Sequence, residues 1–107
     1  MKIISTTDAP SAIGPYSQGM IVGNLVFTSG QIPINPATSA VEATTIEAQA
    51  EQSCKNVAAI LKAAGSDISK VVKTVCFLAD MGDFAKFNEV YAKYFTSKPT
   101  RSCVAVK

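Results

Sequence analysis

The sequence predicts an α+β fold in which two helices pack on one face of a mixed sheet. Two stretches carry apolar residues at helical spacing, and four shorter stretches are typical of strands, in the order β-β-α-β-α-β. A chain of 107 residues, 48% of them hydrophobic, suits one domain over residues 1–107. The helices leave the other sheet face bare. We therefore expect that face to meet another subunit or to close into a barrel-like core.

The first two strands form a predicted hairpin. Residues 9–16, APSAIGPY, indicate an irregular loop because Pro and Gly interrupt them. The runs near 17–22 and 25–31 are rich in β-forming residues, and Gly23-Asn24 between them is typical of a hairpin turn. The segment PINPATSA then indicates a second loop.

The first helix is predicted over residues 44–65. Thr44 and Glu47 have the spacing of a capping box, and Gly65 supplies a stop signal. The apolar positions recur every three or four residues and so define one buried face. They are Ile46, Ala50, Cys54, Val57, Leu61 and Ala64.

The second half of the chain predicts a strand, a helix and a strand. The run KVVKTVCFLAD is apolar on both alternating sets, which indicates a strand covered on both sides. The next segment, 81–95, predicts a helix capped by Asp80 or Asp83. Its aromatic stripe is interpreted as core packing, and residues 100–106 alternate as a final strand. The stripe consists of Phe84, Phe87, Tyr91 and Tyr94.

Composition excludes several function classes. The chain has no histidine, so Ser-His-Asp, Cys-His and histidine-ligated zinc chemistry are excluded. Cys54, Cys76 and Cys103 are widely spaced and odd in number, which argues against disulfides and metal sites and indicates reduced thiols. The net charge of +2 carries no basic cluster typical of nucleic-acid binding. No run is long enough for a membrane span, so we expect a cytoplasmic protein, an organelle being the alternative.

Few residues remain that could carry chemistry. Arg101 offers a planar fork that matches a carboxylate, although spacing alone favours a surface arginine at a strand start, paired with an acid or solvated. Cys103 shares the strand face of Arg101 and reads as a buried thiol rather than a nucleophile. Gly30, after Ser29, could let a ligand approach the backbone or could simply belong to a turn. Tyr16 is either packed or part of a ligand lid.

Four motifs in order, AIGPYSQG, VFTSGQIP, DFAKFNEVYAKYF and KPTRSCVAV, resemble those of the RidA (YjgF-type, or L-PSP) family. The resemblance covers residues 9–106. It implies a chorismate-mutase-like fold that forms homotrimers with a central β-barrel-like core and active sites between subunits. It also implies hydrolysis of reactive enamines and imines, such as 2-aminoacrylate, to 2-oxo acids and ammonia, without metal or cofactor.

The resemblance assigns roles to individual residues. Arg101, in the segment that the family usually writes P-A-R-S-C and this chain writes with Thr100, would hold the substrate carboxylate. Cys103 would line the nitrogen end, with its carbonyl as acceptor. The substrate-binding set would be completed by Tyr16, Ser29, Gly30 and Asn88. Family members continue past the position of Lys107 into a last strand whose glutamate positions the attacking water. Either the sequence is a shortened form, or the protein lacks that strand and acid.

Two other functions stay open at this point. Some family members have been described as endoribonucleases or translation inhibitors, which would make single-stranded RNA the partner. A trimer that binds 2-oxo acids, or acts as a chaperone, without catalysis would be compatible with the missing glutamate.

Overall fold

The computed structural model describes residues 1–107 and confirms the α+β class. Its strands are β1 (Lys2–Ile4), β2 (Gly19–Val22), β3 (Leu25–Thr28), β4 (Lys73–Leu78) and β5 (Thr100–Ala105). Its helices are α1 (Ile46–Ala63) and α2 (Phe84–Tyr94), with short 3-10 turns at Ile68–Lys70 and Met81–Asp83. The predicted element order is confirmed except for β1, a three-residue strand too short to show a periodicity.

The strands form two sheets instead of the single mixed sheet that the sequence suggested. Strands β1, β2 and β3 make an antiparallel sheet, in which the β2–β3 hairpin turns through Gly23 at a φ of 59°. That left-handed conformation favours glycine, as the hairpin motif required. Strands β4 and β5 pair in parallel, and α2 forms the connection between them.

The N-cap of helix α1 lies one residue later than predicted. Thr45, not Thr44, is the N-cap, and its hydroxyl accepts a hydrogen bond of 3.2 Å from the Ala48 amide. Only Thr44 has a glutamate three residues later, but both threonines are favoured N-cap residues, and the backbone conformation decides between them. The helix ends as predicted, because Gly65 adopts a φ of 80° directly after the C-cap.

Two predictions about the second half need correction. Asp83 precedes α2 but makes no capping hydrogen bond, and Asp80 instead accepts one from the Gly82 amide in the preceding 3-10 turn. Strand β4 is not covered on both sides within one chain. Val75 and Phe77 are 52% and 65% exposed, because the helices cover only the face on which Leu78 is buried.

Helix α1 joins two separate clusters of buried side chains. The antiparallel half comprises β1 to β3 and packs Ile4 and Ala9 against Ile60 of α1. The parallel half comprises β4, β5 and α2, and its core contains Cys54 of α1, Tyr91 and Phe95. The bare sheet face expected from the sequence is present and apolar. Its exposed side chains include Leu25, Phe27, Val75, Phe77 and Val104. Neither helix has the length and apolarity needed to cross a bilayer.

Candidate active site

Arg101 lies near the start of β5 on the side that faces α2. Its parallel neighbour in β4 is Thr74, and both side chains are half-buried on the helix-covered face. Side chains alternate along a strand, so Cys103 lies on the same face and Ser102 is turned to the opposite, exposed face. The sequence prediction that Arg101 and Cys103 share a face is consistent with this pattern.

Three residues of α2 hold the guanidinium of Arg101. Asn88 Oδ1 accepts a hydrogen bond of 2.6 Å from Arg101 Nη1. The guanidinium carbon lies 5.2 Å from the ring centre of Phe84 and 4.8 Å from that of Tyr91, both within cation–π range. The spacing of four and three residues places these three side chains on one helix face. The arginine is therefore fixed in position before any ligand arrives.

The charge of Arg101 is not balanced by any carboxylate of the chain. An arginine has five N–H donors, and the protein supplies one side-chain acceptor, Asn88. The ion pair of the chain joins Glu51 and Lys55, both on α1. A half-buried guanidinium with free donors is well suited to bind a planar anion, because two parallel N–H···O bonds match a carboxylate.

A cavity of about 590 Å³ opens beside the guanidinium. Its volume falls within the range typical of small-molecule sites. Helix α2, the turn after it and the start of β5 form its walls. They contribute Asn88, Tyr91, Ala92, Phe95, Thr96, Lys98, Pro99 and Arg101. The lining contains two cations and no acid.

Tyr91 links this site to β4 and to the core of the parallel half. Its hydroxyl forms a hydrogen bond of 2.6 Å with the Thr74 hydroxyl, and its ring stacks on Phe95 at 4.4 Å. Burial is the main reason that the pKa of Tyr91 is raised above its ordinary value, which further favours the neutral phenol. The sequence prediction of an aromatic core stripe is correct for Tyr91, but the stripe also forms the platform for the arginine.

Cys103 lies deeper along β5 and does not line the cavity. Its register neighbour is Cys76, and all three cysteines of the chain are free thiols. Burial raises the pKa of Cys76 and lifts that of Cys54 to about 12. Both of those thiols are therefore protonated and weakly nucleophilic at neutral pH.

The remaining predicted residues lie in the antiparallel half. Ser29 follows β3, and its hydroxyl donates a hydrogen bond of 2.6 Å to the Ser17 carbonyl. Gly30 is exposed, with open space where a side chain would project. Tyr16 is 51% exposed and borders a second cavity, of about 630 Å³, beside β1. The structure thus brings Arg101 and Asn88 together in one cavity, whereas Tyr16, Ser29 and Gly30 lie outside it.

Sequence reasoning missed three contributors to the site. Phe84 and Tyr91 were interpreted only as core residues, because helical spacing shows a stripe but not the charged group that it faces. Lys98 showed no signal at all, since it reaches the cavity through the turn between α2 and β5. The spacing of Phe84, Asn88 and Tyr91 could have indicated a common partner for this helix face.

The fold is α+β, and its candidate site is a cavity lined by an arginine whose guanidinium no carboxylate of the chain neutralises. Residues 6–107 match the family model described as Endoribonuclease L-PSP, and the chain belongs to that family. The resemblance noted in the sequence is therefore confirmed.

Named relatives and solved structures agree with this assignment. The chain is 50% identical over 109 residues to the 2-iminobutanoate/2-iminopropanoate deaminase of Escherichia coli K12, covering 98% of this chain and 84% of the relative. It is 54% identical over 105 residues to the RutC family protein y4sK of Sinorhizobium fredii, covering 97% and 83%. The crystal structure of E. coli TdcF with bound serine superposes with a TM-score of 0.94 at 47% identity, covering 99% of this chain and 86% of that one.

Proposed function

We propose that the protein hydrolyses reactive enamine and imine intermediates, 2-aminoacrylate and related 2-imino acids, to 2-oxo acids and ammonia. The observation that carries this proposal is the fixed guanidinium of Arg101, which faces a cavity with no carboxylate in its walls. A relative with 50% identity is named for the deamination of two such imines, and E. coli TdcF has been crystallised with serine bound.

In the proposed reaction, Arg101 binds the substrate carboxylate through donors that Asn88 leaves free. An enamine such as 2-aminoacrylate first tautomerises to the imine, its nitrogen losing a proton and its methylene carbon gaining one. Water then adds to the imine carbon, so that a C–O bond forms, the π electrons of the C=N bond move to nitrogen, which takes a proton, and the added oxygen loses one. The resulting carbinolamine loses ammonia as its hydroxyl proton leaves and the C=O bond forms. One water is consumed and one ammonia is released. Fixing the carboxylate holds the imine carbon in one place, which lowers the entropic cost of water attack.

The other predicted residues are assigned to the remaining parts of the substrate. The Cys103 carbonyl would accept a hydrogen bond from the imine nitrogen. Tyr16, Ser29 and Gly30 would contact the substrate from a neighbouring subunit of a homotrimer. The apolar bare sheet faces of both halves support association of several subunits. Because these three residues lie away from the Arg101 cavity of their own chain, they would reach a substrate only from a neighbouring subunit.

The test couples an amino-acid oxidase to the protein and follows the decay of the free imine. Arg101→Ala should lower kcat/KM about 100-fold or more, because truncating one partner of a desolvated charge pair costs about 2–5 kcal/mol. Lys93→Gln removes an exposed cation of α2 outside the cavity and should retain activity. Thermal unfolding of both variants checks that each is folded.

Three results would distinguish this proposal from its alternatives. Unchanged turnover in Arg101→Ala would contradict the role of that residue. Binding of a 2-oxo acid by a folded protein that hydrolyses no imine would indicate a non-catalytic function. Cleavage of single-stranded RNA without imine turnover would favour the endoribonuclease activity that the family description names.

A further inference from the structure

The cavity beside Arg101 contains a second positive charge that the proposed reaction does not use. Lys98 lines the same walls as Arg101, Asn88 and Tyr91, and no aspartate or glutamate joins them. Neither Lys98 nor Arg101 takes part in an ion pair. A small cavity with two uncompensated cations is matched by a ligand that carries two anionic groups.

The backbone fixes the position from which Lys98 reaches the cavity. Lys98 has a φ of 52°, a left-handed conformation that lysine rarely adopts, and Pro99 directly after it restricts the turn further. Its amide donates a hydrogen bond of 3.2 Å to the Phe95 carbonyl. The turn is tied down on each side, because the Ser97 hydroxyl donates to the Val71 carbonyl at 2.6 Å and the Thr100 amide donates to the Val72 carbonyl at 3.0 Å.

We propose that Lys98 makes this site selective for 2-imino acids whose side chain carries a second carboxylate. This inference rests on the proposed function, in which Arg101 binds the first carboxylate of the substrate. Lys98 then binds the side-chain carboxylate in the same cavity. A substrate with an uncharged side chain uses Arg101 alone and gains nothing from Lys98. The volume of about 590 Å³ has room for the longer ligand.

The expected size of the effect follows from exposure. Lys98 is exposed, so water and salt screen its attraction for a carboxylate more strongly than they screen that of the half-buried Arg101. We therefore expect Lys98 to contribute about fivefold in affinity, within the range measured for exposed pairs. The contribution should shrink as the salt concentration rises.

The first experiment compares two stable product analogues by isothermal titration calorimetry. 2-Oxoglutarate carries the second carboxylate, and 2-oxobutanoate lacks it. Lys98→Asn removes the cation with a residue that tolerates the left-handed backbone, so the turn should be retained. Lys98→Arg keeps the charge, and Lys93→Gln removes a cation outside the cavity.

Lys98→Asn should weaken 2-oxoglutarate binding about fivefold and leave 2-oxobutanoate binding unchanged, whereas Lys98→Arg and Lys93→Gln should preserve the preference. Equal losses for both ligands in Lys98→Asn, or no loss for either, would overturn the inference. The same variants are then assayed for hydrolysis of the imines that oxidases generate from aspartate and from alanine. Selective binding without hydrolysis of any imine would refute the proposed function while supporting the role of Lys98.

Discussion

The two halves of the molecule are stabilised by different interactions. In the antiparallel half, buried amide side chains tie long loops to the sheet and to α1. In the parallel half, stacked aromatic rings fill the space between α1, α2 and the β4–β5 pair, and only one hydroxyl pair is hydrogen-bonded inside. This contrast corresponds to a difference in role, because aromatic rings of the parallel half also contact the guanidinium of Arg101, which we assign to substrate binding.

Gln18 shows how a buried amide acts in the antiparallel half. The Gln18 side-chain amide donates to carbonyls of Thr6, Ala9 and Pro10 at 2.7–3.3 Å, and its Oε1 accepts from the Thr6 amide at 2.7 Å. Irregular loops cannot pair their own backbone groups, so a buried amide that supplies both donors and an acceptor replaces the missing ladder. The segment between β1 and β2, which contains Tyr16, is tied to the sheet in this way.

The largest predicted effect is the loss of stability that follows substitution of Asn56, which ties a loop of the antiparallel half to α1. This residue is 1% exposed, and its amide donates to the carbonyls of Ile32 and Ile34 at 3.2 and 2.9 Å. Asn56→Ala should lower the free energy of unfolding by about 3 kcal/mol, because it removes a fully buried side chain together with both of its loop hydrogen bonds. The Ile34 carbonyl loses its donor, whereas the Ile32 carbonyl still accepts from the Ile34 amide at 2.8 Å. Urea denaturation measures the change.

A matched variant on the same helix provides the control for Asn56. The Gln52 side-chain amide donates a hydrogen bond of 2.9 Å to the side-chain oxygen Oδ1 of Asn56. It makes no hydrogen bond to either loop carbonyl. Gln52→Ala should cost about 1 kcal/mol. In Asn56→Ala, hydrogen exchange should accelerate at residues 30–36 before it does in β4. Equal stability of the two variants would show that the amide contacts contribute little to this half.

The sequence predicted the parts of the fold that repeat along the chain. Helical spacing identified α1 and α2, a continuous apolar run identified β4, and alternation identified β5, because each pattern extends over several residues. It missed β1, which is too short to show a pattern. One sheet was predicted where the structure has two, because strand pairing depends on packing between distant residues and not on local sequence.

The candidate site was predictable to a smaller extent. Arg101 and Asn88 were identified through family motifs, and the structure places them 2.6 Å apart. The aromatic support by Phe84 and Tyr91 and the position of Lys98 could not be predicted. Their approach to Arg101 depends on how α2 packs across β5 and on the backbone of the connecting turn, neither of which a residue pattern encodes.

A smaller effect tests the hydrogen bond inside the parallel half. Tyr91→Phe keeps the ring that stacks on Phe95 and lies under Arg101, but removes the hydroxyl that bonds to Thr74. The variant should lose about 1 kcal/mol of unfolding free energy, because one intramolecular hydrogen bond is removed while the packing is retained. Thermal unfolding with Thr74→Val and the double variant completes a double-mutant cycle. If the two single changes were strictly additive, the hydroxyl pair would have no coupling energy.

The smallest predicted effect is a loss of folding stability in alkaline solution, and it is absent at neutral pH. Burial, followed by the neighbouring Cys76 and Glu51, raises the pKa of Cys54 from 9.0 to about 12. The pKa values of Cys76, Tyr91 and Tyr94 are also raised, and all four groups belong to the core of the parallel half or pack against it. A raised pKa means that the folded chain retains protons that the unfolded chain has lost.

The stabilisation from these groups is therefore complete below pH 9 and is lost as the pH rises from 9 toward 12. Urea midpoints measured across that interval should fall less steeply for Cys54→Ala than for the original chain, because the variant has one fewer group to ionise. Hydrogen exchange at pH 10 should show β4 and β5 opening before β2 and β3, which have no group with a raised pKa. If the antiparallel sheet opened first, ionisation of buried groups would not be what limits the stability of the parallel half at alkaline pH.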